Sequence, residues 1–234
     1  MSIGIIVDFF AIFFGGLIGA LSKDRIPEKI KVALPMIFAA CAFSLGTSLI
    51  VKVVNFPPVV LALILGTVIG ELLDIENRLR NVSEKLQAKL KKGKAKIDEK
   101  AVEGFITILV LFSVSANVFI GSLYEGITGD ATILFIKSIL DFFTAMIFAT
   151  TIGYSVMFIG IPLLVIGSTL FSLASLIMPY LSDVMIADFA AGGGIITLLV
   201  GIRMMELKKV PVANTLPSIL LTVPLSYLWT LVFG

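Results

Sequence analysis

Lys137 and Asp141 set an ammonium and a carboxylate one helical turn apart, a spacing at which side chains share a helix face and can pair. They interrupt residues 130–154, DATILFIKSILDFFTAMIFATTIGY, which are otherwise apolar and long enough to cross a membrane. An ionisable group at bilayer depth costs roughly 2.5 kcal/mol or more unless it meets a partner or water, so this helix cannot face lipid all round. Asp141 is the candidate site for a cation or proton, and Lys137 its neutralising partner. Asp8, Ser113, Asn117, Asp183 and Asp188 are further polar side chains in or beside apolar runs. With Lys137 and Asp141 they fall at similar height on four helices. Converging oxygens there would line a cavity open to the outside, with Na+, H+ or a small polar solute at its floor. The solute-free alternative is that Lys137 neutralises Asp141 while Asn117 and the serines bond between helices.

Catalytic chemistry finds little support. The chain has no His, which excludes an HExxH metalloprotease and removes the commonest metal ligand. Its one cysteine, Cys41, lies in an apolar run, so no disulfide within the chain and no cysteine metal cluster can form, and core packing is its expected role. Residues 126–130, GITGD, miss the GxGD spacing of intramembrane aspartyl proteolysis, and no Walker A sequence is present. The expectation is therefore no enzyme, no catalytic residue, no metal and no cofactor.

The elements that must position these residues follow from composition. Hydrophobic residues make up 58% and charged residues 15%, with a mean hydropathy of +1.09, whereas soluble domains carry roughly 25% charged residues. The fold class expected is all-α: a polytopic transmembrane helical bundle forming one integral membrane domain over residues 1–234. Hydropathy marks eight spans at 3–21, 33–51, 58–74, 104–124, 133–154, 156–178, 190–207 and 212–233. Seven is the alternative count, because the joint at residues 153–155 is a bare turn in near-continuous apolar sequence. The N-terminal run lacks the positive region of a signal peptide and reads as a retained span.

Basic residues give the orientation. They gather after the first span (Lys23, Arg25, Lys29, Lys31), after the third (nine from Arg78 to Lys100) and around the end of the seventh (Arg203, Lys208, Lys209). With eight spans these loops share one side, and the positive-inside rule then puts both termini outside a cell (inner or plasma) membrane. Between residues 75 and 100, Ile75, Leu79, Val82, Leu86 and Leu90 recur at helical spacing, and Glu76 and Arg80 lie one turn apart. This predicts a cytoplasmic amphipathic helix and a basic loop drawn to anionic lipid. Acids mixed into the run and the lack of interleaved aromatics exclude a nucleic-acid partner.

Gly15/Gly19 and Gly66/Gly70 have the GxxxG spacing that lets helix backbones approach, for packing within the fold or for a homo-oligomer contact. Three successive glycines, Gly192, Gly193 and Gly194, weaken the seventh span and predict a backbone break, a close approach to substrate, or tight packing. Residues 26–35 and 210–217 echo each other, IPEKIKVALP against VPVANTLP, as do 65–73 and 200–208. Such echoes fit a duplicated transporter with parallel halves.

Several longer motifs occur in order: GELLDIE at 70–76, EGF at 103–105, GSLYEGITGD at 121–130, KSILD at 137–141, FATTIG at 148–153 and KKVPVANTLP at 208–217. Through them the chain resembles the YqgA/YdfK-like prokaryotic integral membrane proteins. That family has no assigned molecular function, although sodium channel or pump activity has been suggested. The chain departs from its pattern at Asp8, where Asn is usual, at Ser113–Ala116, where a Cys-x-Gly-Ala run is usual, at Asp188 (Glu) and at Phe142 (Gly). The resemblance implies a helical membrane fold and adds transport as an expectation without a substrate.

Residues and resemblance together predict a secondary transporter or channel for a small cation or polar solute. The competing class is a non-transporting oligomeric scaffold that recruits a partner through the inner amphipathic helix.

Overall fold

Apolar runs punctuated by capping residues and glycines build seven helices among the described residues: α1 (Ile3–Leu21), α2 (Glu28–Ile50), α3 (Phe56–Leu73), α4 (Thr132–Ile152), α5 (Gly160–Ile177), α6 (Asp183–Met204) and α7 (Pro217–Phe233). This computed structural model describes residues 2–22, 27–78, 80–81, 108, 109, 112, 118, 121, 122, 124–126 and 129–233. No strand occurs among them, so the all-α class is observed. Ser2 starts α1 by accepting from the Ile5 amide at 3.0 Å, and Ser182 does the same for α6 through Met185 at 3.3 Å, each satisfying an orphan donor of the first turn. Exposed Asp130 precedes α4 and accepts from the Thr132 hydroxyl and amide. Those two bonds hold its carboxyl below the ordinary aspartate value.

The contacts fall into two compact units, Met1–Phe38 with Arg78–Ser175 and Ala39–Asn77 with Leu176–Gly234. In the first, α1 is central. Gly15 and Gly19 lie against the backbone carbonyls of Phe142 and Met146, so α4 runs in the same direction as α1. Gly16 lies against Met157, Gly160 against Phe9 and Gly167 against Ile5, so α5 runs the opposite way. Residues Leu134–Leu173 are apolar over 40 residues, about twice what a bilayer needs. The reversal divides them in two. Gly153, at φ 80, ends α4, and a 3-10 segment over Gly153–Ile159 leads into α5. A positive φ is cheap only for glycine, which is why the bare turn at 153–155 can be so short. Ile5, Ile12, Phe112, Leu134, Ile159 and Leu163 fill the core of this unit.

In the second unit α6 is central. Val54 and Asn55 meet Asp188, and Val59 approaches Gly192, so α3 runs parallel to α6. Gly46 meets Gly194, and Ala39 and Phe43 meet Gly201, so α2 runs antiparallel to it. Asp188 with Ser226 and Gly192 with Thr222 make α7 antiparallel as well. Gly66 and Gly70 complete the arrangement by bringing α3 onto the backbone of Ser218 and the carbonyl of Asn214, at the start of α7 and just before it. Helices surrounded by lipid gain little from hiding apolar surface against one another, so close packing of small residues carries the association.

Two expectations change, the start of α6 and the burial of Cys41; at the glycines the packing alternative is the one observed, and Glu76 gains a distant partner. α6 starts at Asp183, seven residues before the hydropathy boundary, because the Ser182 cap outweighs the charges of Asp183 and Asp188. The helix runs without a break through Gly192, Gly193 and Gly194, whose missing side chains admit neighbouring helices. The homo-oligomer alternative for Gly15/Gly19 and Gly66/Gly70 gives way to packing within the fold. Gly15, Gly19, Gly66 and Gly70 are all buried, and a Cβ on Gly70 would run into the Asn214 carbonyl, leaving that face no room for a second copy. Cys41 is exposed, since α2 turns Ala39 and Ala42 inward instead. Glu76 bonds to Arg203 at 2.6 Å, beyond the local pairing with Arg80 expected from spacing. Of the amphipathic run, Leu79 and everything from Val82 to Lys100 lie outside the described residues.

Candidate functional site

Parallel packing of α1 on α4 decides where the buried charges meet. Gly4 lies against Leu134 and Gly15 against Phe142, so Asp8, between the two glycines, comes level with Lys137 and Asp141. The Lys137 ammonium donates to Asp8 Oδ2 at 2.8 Å and to Asp141 Oδ2, with its Nζ 5.6 Å from the centre of the Phe112 ring, within cation–π range. The side chains of Asp8, Lys137 and Asp141 are 0%, 5% and 8% exposed. Asp8 Oδ1 is buried and has no hydrogen-bond partner among the described residues. Two carboxylates against one ammonium leave a formal surplus of one negative charge in a water-poor place, where charge is costly to hold unpaired.

Asp8, Lys137 and Asp141 are all buried. The small face of α1 brings α4 into backbone contact and shuts the triad from solvent. The structure brings Asp8, Lys137 and Asp141 together, while Asn117 and Ser113 lie outside the described residues. Asp183 is exposed in the first turn of α6, where the helix dipole favours a carboxylate.

Asp188 belongs to the second unit and is hydrogen-bonded there through both oxygens. Its Oδ1 accepts from the Val54 and Asn55 amides at 3.0 and 2.8 Å, and its Oδ2 from the Ser226 hydroxyl at 2.6 Å. It ties down the chain leading into α3, where Pro57 and Pro58 offer no amide hydrogen. With both oxygens served by fixed donors, this carboxylate anchors structure. Its setting contrasts with that of Asp8, although both helices begin alike: Ser2, Asp8 and Phe9 in α1 match Ser182, Asp188 and Phe189 in α6 in type and spacing.

Glu125 was missed by the sequence reasoning. Its carboxylate accepts from the Ser2 hydroxyl and from the Ile3 and Gly4 amides at 2.7 and 3.2 Å, closing the start of α1 beside the triad. A Cβ on Gly4 would lie 2.6 Å from Leu134 Cβ and 2.9 Å from Glu125 Oε2, so glycine is required there. An acid inside GSLYEGITGD was a visible signal, but its partner lies 123 residues away.

Two other motifs prove structural. The Glu76 amide donates to Asn214 Oδ1 at 2.7 Å, the Ala213 amide to Glu76 Oε2 at 3.1 Å, and Arg203 to the Val210 carbonyl at 3.2 Å. GELLDIE, which opens with Gly70 against Asn214, and KKVPVANTLP are thereby stitched together at the end of α3.

Long apolar helices packed through glycine faces around a sealed charged triad define an all-helical membrane protein. Residues 3–227 match the family described as "Protein of unknown function (DUF554)", and the chain belongs to that family. It is 42% identical over 235 residues to the uncharacterized protein YqgA of Escherichia coli strain K12, covering 100% of both chains. To the uncharacterized membrane protein YdfK of Bacillus subtilis strain 168 it is 24% identical over 222 residues, covering 93% of each. No solved structure matches the chain.

Proposed function

We propose that this protein is a multi-pass transporter or channel of the cell membrane, carrying a small cation or polar solute past the Asp8–Lys137–Asp141 triad. The observation that carries this reading is Asp8 Oδ1, a buried carboxyl oxygen without a described partner in a triad that has one more carboxyl group than ammonium. A scaffold would be better served by a balanced pair. Buried ionisable groups are expensive in membranes and belong by default to function. The triad is closed off as seen here, so transport requires an opening step.

Helix directions support the topology. For α1 and α4 to run parallel, an odd number of spans must separate them. Taking α2, α3 and the expected span at 104–124, most of which lies outside the described residues, as crossings gives eight spans, with the basic loops inside and both termini outside. On this reading the protein is not an enzyme, and its surroundings are lipid and its transported solute.

Flux from proteoliposomes of purified protein, screened for sodium, potassium, protons and small amino or carboxylic acids, tests the proposal. Asp141→Asn is expected to abolish the flux seen with the unaltered protein while leaving the fold intact. Absence of flux for every solute, with inserted and folded protein, overturns it.

A further inference from the structure

We propose that the triad holds one exchangeable proton on its two carboxyl groups, Asp8 and Asp141, and that the cation this protein moves is therefore a proton. The inference rests on the triad being the transport site and names the substrate class for it. Lys137 supplies one positive charge to two carboxylates, all three side chains being at most 8% exposed. Something must neutralise the remaining charge.

The groups around Asp8 narrow the choice. α4 presents Lys137 and Asp141, and Glu125 is engaged at the start of α1 by Ser2, Ile3 and Gly4. α5 carries no ionisable side chain, and Tyr154, in the 3-10 segment before it, is exposed. No second cation is therefore among the described groups that face Asp8. A metal cation stripped of water needs a shell of oxygens to replace its hydration. Among the described residues, Asp8 Oδ1 has no hydrogen-bond partner and no group of three or more carboxylates, Cys or His is gathered to hold a metal. A proton needs only the one oxygen. Protonation turns the surplus carboxylate into a neutral acid, which is far cheaper to bury than an ion. Asp8 Oδ2 remains an acceptor for Lys137, so the contact between α1 and α4 survives in both protonation states.

The charge count makes the idea testable without measuring transport. Infrared difference spectra of the purified protein in liposomes, recorded in H2O and D2O, count protonated carboxyl groups through their C=O stretch. One buried acid that shifts in D2O is expected in the unaltered protein at neutral pH. The count should fall to zero in Asp8→Asn and also in Asp141→Asn, because either change balances Lys137 with a single carboxylate. It should rise to two in Lys137→Gln and stay at one in Asp188→Asn. Four variants keep the test decisive if one of them fails to fold.

A missing acid band in the unaltered protein, or a band indifferent to both Asp8→Asn and Asp141→Asn, overturns the inference. So does a band that appears only when sodium is replaced by choline, which would make a metal cation the counter-charge. A confirmed proton with no flux in proteoliposomes would leave the site's charge state standing and bring down the transport reading instead.

Discussion

Removing the ammonium from the triad is the sharpest perturbation of the fold. In Lys137→Met two carboxyl groups remain without an ammonium, on α1 and α4, with side chains 0% and 8% exposed, so at mildly alkaline pH neither solvent nor salt screens the charge they carry. Breaking a buried pair by deleting one partner typically costs about 3–5 kcal/mol. At about 1.36 kcal/mol per tenfold change, that lowers the folded-to-unfolded ratio roughly 150- to 5,000-fold. Reversible unfolding in mixed micelles, followed by helix content at mildly alkaline pH, measures it. Acidification should return part of the loss, since protons can replace the missing ammonium. Replacing all three charges with apolar residues, Asp8→Leu and Asp141→Leu added to Lys137→Met, should restore stability to near the original or above it, as other buried triads behave on apolar replacement. A loss below about 1 kcal/mol for Lys137→Met would refute the reasoning. It would mean that the carboxylates are not brought together with Lys137 in the folded protein.

Gly19→Ala puts a Cβ 1.9 Å from the Met146 carbonyl oxygen, so α1 and α4 must separate, at a cost of about 1–3 kcal/mol in the same unfolding assay. In the second unit, Asp188→Ala strands the Val54 and Asn55 amides and the Ser226 hydroxyl. A loss of at least about 1–3 kcal/mol is expected, together with faster amide exchange at the start of α3 and an unchanged infrared acid count.

Local chemistry made much of this protein legible in one dimension. The apolar runs announced helices because a bilayer leaves backbone groups no partner except one another. α1 and the expected first span agree end to end. The KSILD spacing put Lys137 and Asp141 on one face because both belong to one helix. The same logic failed at α6, where hydropathy discounted a stretch whose Ser182 cap had already begun the helix. At the glycine triplet the tight-packing alternative prevailed, because the room it gives Thr222, Val59 and Gly46 outweighs the low helix propensity. The GxxxG pairs were legible as contact faces but not as to what they touch: Gly70 meets a carbonyl from Asn214, far along the chain.

What sequence alone determined is therefore the membrane class, most helix limits, the family and half of the charged site. Each of these depends on residues within a few turns of one another or on composition. Tertiary structure decided the rest. Asp8 reaches Lys137 across 129 residues, Glu125 reaches Ser2 across 123, and Arg203 reaches Glu76 across 127. Packing also separated two carboxylates that look equivalent along the chain, leaving Asp188 bonded through both oxygens and Asp8 with one that has no partner among the described residues. The physical reason is that burial and hydrogen-bond partners belong to a place in the fold, and helix faces choose that place by the backbones they allow to touch.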